Sequence, residues 1–192
     1  MSSTDAQRIS RLAVPDEQDL PADIQELFAQ MRQKPGFVPN VYRAYGLRPH
    51  QLRGFIALYS SIMEEESGLT KAEREMIAVA VSAQNHCFYC LTSHGAALRI
   101  RAKNAVLADT VAANYRAADL TPRQSAMLDF AVKITLASDT CSDEDIAGLH
   151  AHGFSDEDVL DIIQTAGFFN YSNRVASALE LRPNREFHTM AR

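Results

Sequence analysis

The sequence predicts an all-α protein. Three observations carry that reading. Apolar residues recur at helical spacing through much of the chain, two threonine-led capping boxes open long helical segments, and no alternating strand pattern stands out. In Pro21–Met31 the residues Ile24, Leu27, Phe28 and Met31 fall on one face of an amphipathic helix. Lys34–Asn40 holds two prolines and a glycine and reads as a loop. A short helix is expected near Val41–Ala44, and a longer one from Pro49 to Met63. Thr70 and Glu73 have the N-cap and N3 spacing of a capping box. The run that follows, Met76–Ala83, is apolar on nearly every side, so its helix should be central and buried. Thr121, Pro122 and Gln124 repeat the start signal. Ser142 and Ser155 precede acidic residues as further N-caps, with Gly153 ending the helix between them. Val159, Ile162, Ile163, Ala166 and Phe169 then mark a last long helix. Phe37-Val38 and Val106-Leu107 are too short to be strands. Residues 1–66 read as an N-terminal helical extension and 67–192 as the core, within one compact unit.

Composition narrows the function classes. The chain has 192 residues and a net charge of −5, with no basic block, so nucleic acid is not an expected partner. No apolar run approaches the ~20 residues a membrane helix needs. Met1–Asp5 carries no apolar leader segment. A cytoplasmic location is expected, and there a CxxC is a redox or metal pair more often than a structural disulfide.

The chemistry concentrates in Asn85–His94. Cys87 and Cys90 stand three apart, and His94 follows Cys90 by four, so on one helix all three would share a stripe. Helical i,i+3 spacing places the two Cα atoms roughly 5 Å apart, inside the range a disulfide tolerates. A CxxC pair and a helix N-terminus both lower a thiol pKa, with Asn85 as the expected N-cap. His94 could take the Cys90 proton. Glu75 lies twelve residues before Cys87, roughly 18 Å along an unbroken helix, and would need a chain reversal between Ser82 and His86 to reach the thiols. His86 reads as a helix-start residue before a catalyst. A zinc site would need Cys87, Cys90, His94 and a fourth ligand such as Cys141 or His150, none at a familiar spacing.

Glu75, Cys87-Phe88-Tyr89-Cys90 and His94 together resemble the alkylhydroperoxidase D / carboxymuconolactone decarboxylase superfamily. Phe37–Val41, Leu69–Val79 and Phe168–Arg174 resemble its peroxidase-related branch, and the likeness runs from about Arg8 to Leu181. The resemblance implies an AhpD-like helical fold whose helix–turn–helix bears the CxxC, in homo-oligomers such as dimers, trimers or hexamers. It implies that Cys90 attacks a hydroperoxide, Cys87 resolves the sulfenic acid as a disulfide, and Glu75 and His94 relay protons. No metal or other cofactor is called for, and the electrons come from an outside dithiol donor. His86, Tyr89, Asn170, Tyr171 and Asn173 are candidate site-lining residues. Tyr89 stands where the best-understood peroxidase of the family has histidine, and a phenol with a pKa near ~10 is a poor base at neutral pH. Two rival functions remain in view. One is a carboxymuconolactone decarboxylase-type lyase acting on a small carboxylated lactone, which does not call for the CxxC. The other is a non-enzymatic redox-sensing or zinc-binding module.

Overall fold

A computed structural model describes residues 8–192; the leader reading of Met1–Asp5 lies outside them. The described residues form ten α-helices and three short 3-10 turns, with no strands. The helices are α1 Ala22–Gln33, α2 Asn40–Tyr45, α3 Pro49–Met63, α4 Lys71–Gln84, α5 Phe88–Ala102, α6 Ala105–Asn114, α7 Pro122–Ala137, α8 Asp143–Ala151, α9 Asp156–Ala178 and α10 Glu186–Thr189. Val106-Leu107 lies in α6, and Phe37-Val38 is loop.

The start signals at Thr70, Thr121, Ser142 and Ser155 all form. Thr70 and Thr121 make reciprocal capping boxes with Glu73 and Gln124, and Ser142 and Ser155 do the same with Asp145 and Asp158. Gly153 sits at φ +83 just after α8, a conformation that suits glycine.

Helix α4 runs through the middle, against α5, α6, α7 and α9. Ile77, Ala78, Val79, Ala80 and Val81 are fully buried there, which explains the absence of a polar face. Its small residues let four helices approach closely. One continuous apolar core joins Leu20, Ile24, Phe28 and Leu52 from the N-terminal helices to Leu98, Met127, Ile162 and Phe169. The buried Arg74 stitches the α3–α4 loop by donating to the carbonyls of Ile62 and Glu65. Among the described residues no helix is long and apolar enough to cross a membrane.

The two chain ends are zipped together. The Arg11 amide donates to the Leu179 carbonyl at 2.7 Å, and the Arg182 amide to the Ile9 carbonyl at 3.0 Å. Asn40 and Asn184 extend the seam: Asn184 Nδ2 donates to the Val38 carbonyl and Asn40 Nδ2 to that of Arg182. Arg99 then fixes the C-terminal segment by donating to the carbonyls of Phe187 and Met190.

Candidate active site

The chain reverses between α4 and α5. The Cys87 amide bonds the Ser82 carbonyl at 3.0 Å and the His86 amide bonds that of Ala83 at 3.1 Å. This is a Schellman ending, with His86 in the left-handed position at φ +51. Two sequence readings change here. Asn85 caps the C-terminus of α4 rather than the N-terminus of α5, and His86 is the turn residue rather than a helix start. Cys87 itself is the N-cap of α5. An L residue at this position is strained, so His86→Gly should raise stability by about 0.5–1 kcal/mol, read as a higher midpoint in urea. A lower midpoint would show that the imidazole contributes more than the strain costs.

The reversal brings Glu75 back beside α5. Its Oε2 lies 2.8 Å from His94 Nδ1, with both side chains largely buried. His94 also packs edge-on against Phe169, with ring centroids 4.5 Å apart. Asn85 secures the turn by donating to Asn170 and Asn173 at 3.0 Å each, and Asn173 donates in turn to Ser82 at 2.9 Å.

Cys87, the N-cap, hydrogen-bonds Cys90 one turn above it, and the two residues border different spaces. Cys90 and His94 line a cavity of about 170 Å³, with Tyr42, Tyr59 and Phe168 among its walls. Cys87 lines a wider groove of about 550 Å³ with His86, Phe88, Ser177 and His188. Tyr89 borders both. Its hydroxyl accepts from the Val41 amide at 3.1 Å, and burial pushes its pKa upward, so it stays a neutral phenol. Asn170 lines neither space. Tyr171 turns away to Tyr45, with the hydroxyls 3.1 Å apart.

Cys87 and Cys90 are both free thiols. The Cys90 thiol hydrogen-bonds Cys87 and, with the Cys90 backbone, the Ser177 hydroxyl and His94, lowers the Cys87 pKa to about 6 against the cost of burial. The same bond, with burial and the charge on Cys87, holds Cys90 well above the ordinary thiol range, while Asn173 and Ser172 pull it the other way. Alkylation of Cys87 by iodoacetamide, measured in a Cys141→Ser background, should therefore fall as pH drops below about 6 and level off above it. A midpoint near ~8.5 would contradict this ionisation.

Sequence reasoning missed Tyr42, Tyr59 and Ser172. Ser172 shares the buried α9 face with Phe168, Phe169, Ala176 and the expected Asn173; continuing the helical period from Phe168-Phe169 would have found it. The zinc donor set is not assembled. Cys141 is exposed, His150 pairs with Asp156, and no cluster of three metal-ligating side chains occurs among the described residues.

Residues 49–113 match the carboxymuconolactone decarboxylase family. No curated relative matches the chain. Among solved structures, the chain is similar to the alkylhydroperoxidase AhpD core, a peroxidase-related protein from Ralstonia eutropha. The two are 48% identical, with 97% of this chain and 98% of that one covered, at a TM-score of 0.95. A peroxidase-related protein from a Silicibacter species is 45% identical, with 97% of each chain covered and a TM-score of 0.93. The debrominase Bmp8 bound to 2,3,4-tribromopyrrole shares the fold: it is 18% identical, over 94% of this chain and 97% of its own, at a TM-score of 0.79. The identity and coverage of the first two, together with the CxxC beside a paired glutamate and histidine, place this chain in the alkylhydroperoxidase D / carboxymuconolactone decarboxylase superfamily.

Proposed function

We propose that this protein is a thiol-dependent peroxidase that reduces hydroperoxides through a Cys87–Cys90 dithiol/disulfide cycle. The observation that carries the reading is the buried Glu75–His94 pair, whose histidine lines the same cavity as Cys90. His94, with Nδ1–H held by the Glu75 carboxylate, offers Nε2 to accept the Cys90 proton. The Cys90 thiolate then attacks the terminal oxygen of the hydroperoxide. An S–O bond forms, the O–O bond breaks, and the departing alkoxide takes the proton from the imidazolium. The products are an alcohol and Cys90 sulfenic acid. Cys87, with a pKa of about 6, is an ionised thiolate at neutral pH. It attacks the sulfenic sulfur, the S–S bond forms, and hydroxide leaves to be protonated by solvent. An outside dithiol returns two electrons and becomes a disulfide itself.

One feature of the cavity argues against the lyase alternative. A carboxylated lactone calls for a cation to meet its charge, and among the described residues no lysine or arginine lines the space around Cys90. The test is consumption of cumene hydroperoxide by the purified protein with dithiothreitol. Catalytic turnover above the uncatalysed thiol reaction is expected. Reversible oxidation of the cysteines without turnover would favour the redox-sensing module instead.

A further inference from the structure

The hydroxyls that surround the two cysteines divide into two groups. Thr92 and Ser93, on the cysteines' own helix, donate back to the carbonyls of Phe88 and Tyr89 at 2.9 and 3.0 Å. Ser82, on α4, accepts from Asn173 at 2.9 Å. The hydroxyls that reach the sulfurs come from α9. Ser172 hydrogen-bonds Cys90, and Ser177 hydrogen-bonds Cys87. The spaces agree with this division, since Ser172 lines the cavity with Cys90 and Ser177 the groove with Cys87. The last turn of α9 is fixed around Ser177. Its carbonyl accepts from the Glu180 amide at 3.0 Å, and the Leu181 amide closes on the Ala176 carbonyl at 3.0 Å, with Glu180 at φ +51.

Ser177 differs from the other support of Cys87 in one respect that matters chemically. In the reduced protein the largest support of the Cys87 thiolate is the hydrogen bond from the Cys90 thiol. Peroxide converts that thiol to a sulfenic acid, so this S–H donor is gone when Cys87 has to attack. The Ser177 hydroxyl belongs to another helix and does not change with the oxidation state of Cys90. A donor to a thiolate favours its charged form and fixes where its lone pairs point. The other charged or titratable groups at the groove are His86 at the turn, Glu180 and Arg182 after α9, and His188 in α10. Tyr89 is a neutral phenol, and the charge of His94 acts on Cys87 from α5. Removing the Ser177 hydroxyl leaves all of them in place.

We propose that Ser177 is the positioning residue of the resolving step, its hydroxyl donating to the Cys87 sulfur while Cys87 attacks the Cys90 sulfenic acid. The proposal rests on the peroxidase reading and adds a residue to it. In this step the S–S bond forms, the S–O bond of Cys90 breaks, and hydroxide leaves and takes a proton from solvent. Ser177 keeps its own proton throughout and acts only through Cys87.

The experiment has a titration arm and a trapping arm. In the first, Cys90→Ala and Cys141→Ser leave Cys87 as the single thiol, without its Cys90 donor, and its alkylation by iodoacetamide is followed against pH. Adding Ser177→Ala should raise the midpoint by about one pH unit, the share of a hydrogen bond to a charged group. Ser177→Thr keeps the hydroxyl and should leave the midpoint within ~0.3 of the Ser177 protein. Ser177 is exposed, so alanine there should not disturb the fold, and a packing role would not move a titration midpoint. An unmoved midpoint, or a threonine variant that shifts as far as alanine, overturns the proposal whether or not any hydroperoxide is turned over. In the second arm, the protein with both active-site cysteines receives one equivalent of cumene hydroperoxide at pH 6, and dimedone traps the Cys90 sulfenic acid. Slower resolution in Ser177→Ala should raise the trapped fraction by about 3-fold or more, because the attack rate follows the thiolate fraction. A trapped fraction equal to wild type overturns the proposal. Absence of any oxidation of the wild type defeats the peroxidase reading instead, and the midpoint then still reports whether Ser177 holds the Cys87 thiolate.

Discussion

Replacing Cys90 with serine should lower peroxide turnover by at least ~10³-fold, because a hydroxyl in place of the thiol offers no comparable nucleophile at neutral pH. The substitution is nearly isosteric at a site only 2% exposed, so the fold should persist and the loss be chemical. The informative contrast is Cys87→Ser. It removes the resolving thiolate and leaves the cavity, the Glu75–His94 pair and Cys90 in place. One equivalent of peroxide should be consumed in a single burst, with the sulfenic acid at Cys90 trapped by dimedone. The depressed Cys87 pKa makes the reverse assignment a real competitor, since Cys87 is the better ionised of the two. If Cys90→Ser gave the burst and Cys87→Ser did not, the roles would have to be exchanged.

The second large effect is expected from Glu75→Gln. Glutamine matches the shape of glutamate and removes its charge. The Glu75 side chain is 3% exposed and the His94 side chain 16%, so little solvent screens the pair. With the carboxylate gone, the imidazolium formed during attack loses its counter-charge, and the amide no longer dictates which ring nitrogen carries the proton. General acid–base contributions of this kind are worth ~10²–10⁴-fold, and that loss should appear in kcat/KM with the fold retained. Circular dichroism separates this from unfolding. Turnover within ~3-fold of wild type would remove Glu75 from the mechanism.

Much of the fold was legible because its signals are local. The capping boxes at Thr70, Thr121 and Ser155 are four-residue patterns, and the Pro49–Met63 helix begins at a proline suited to N1 and ends where the polar Glu64–Glu66 run begins. The break needed to bring Glu75 to the cysteines could be inferred from the polar residues at 82–86. Its form could not, because histidine rarely occupies the left-handed position that glycine usually takes. From that one residue follows the rest of the difference: Cys87 falls outside α5, and the two cysteines border different spaces. The ring-lined wall was hidden for another reason. Tyr42 and Tyr59 lie far from the motif in sequence and meet it only through tertiary packing of the N-terminal helices. Asn170 and Tyr171 were drawn in by family likeness. Tyr171 stands one position from Ser172, a step that turns the helix by about 100°, whereas Asn170 shares a face with Asn173 and is engaged in holding Asn85 at the turn.

The zipped chain ends have a consequence for synthesis. Ile9 and Arg182 are joined, as are Val38 and Asn184, yet they leave the ribosome far apart in time, roughly 10–35 s at ordinary translation rates. Both cysteines emerge well before Phe187 arrives to close the wall over Cys90. For that interval the nascent chain carries Cys87 and Cys90 without the Phe187 wall beside them. A chain halted before Asn184 would hold Cys87 and Cys90 beside an unfinished wall and would lack the Asn184–Val38 bond that ties the two ends of the fold.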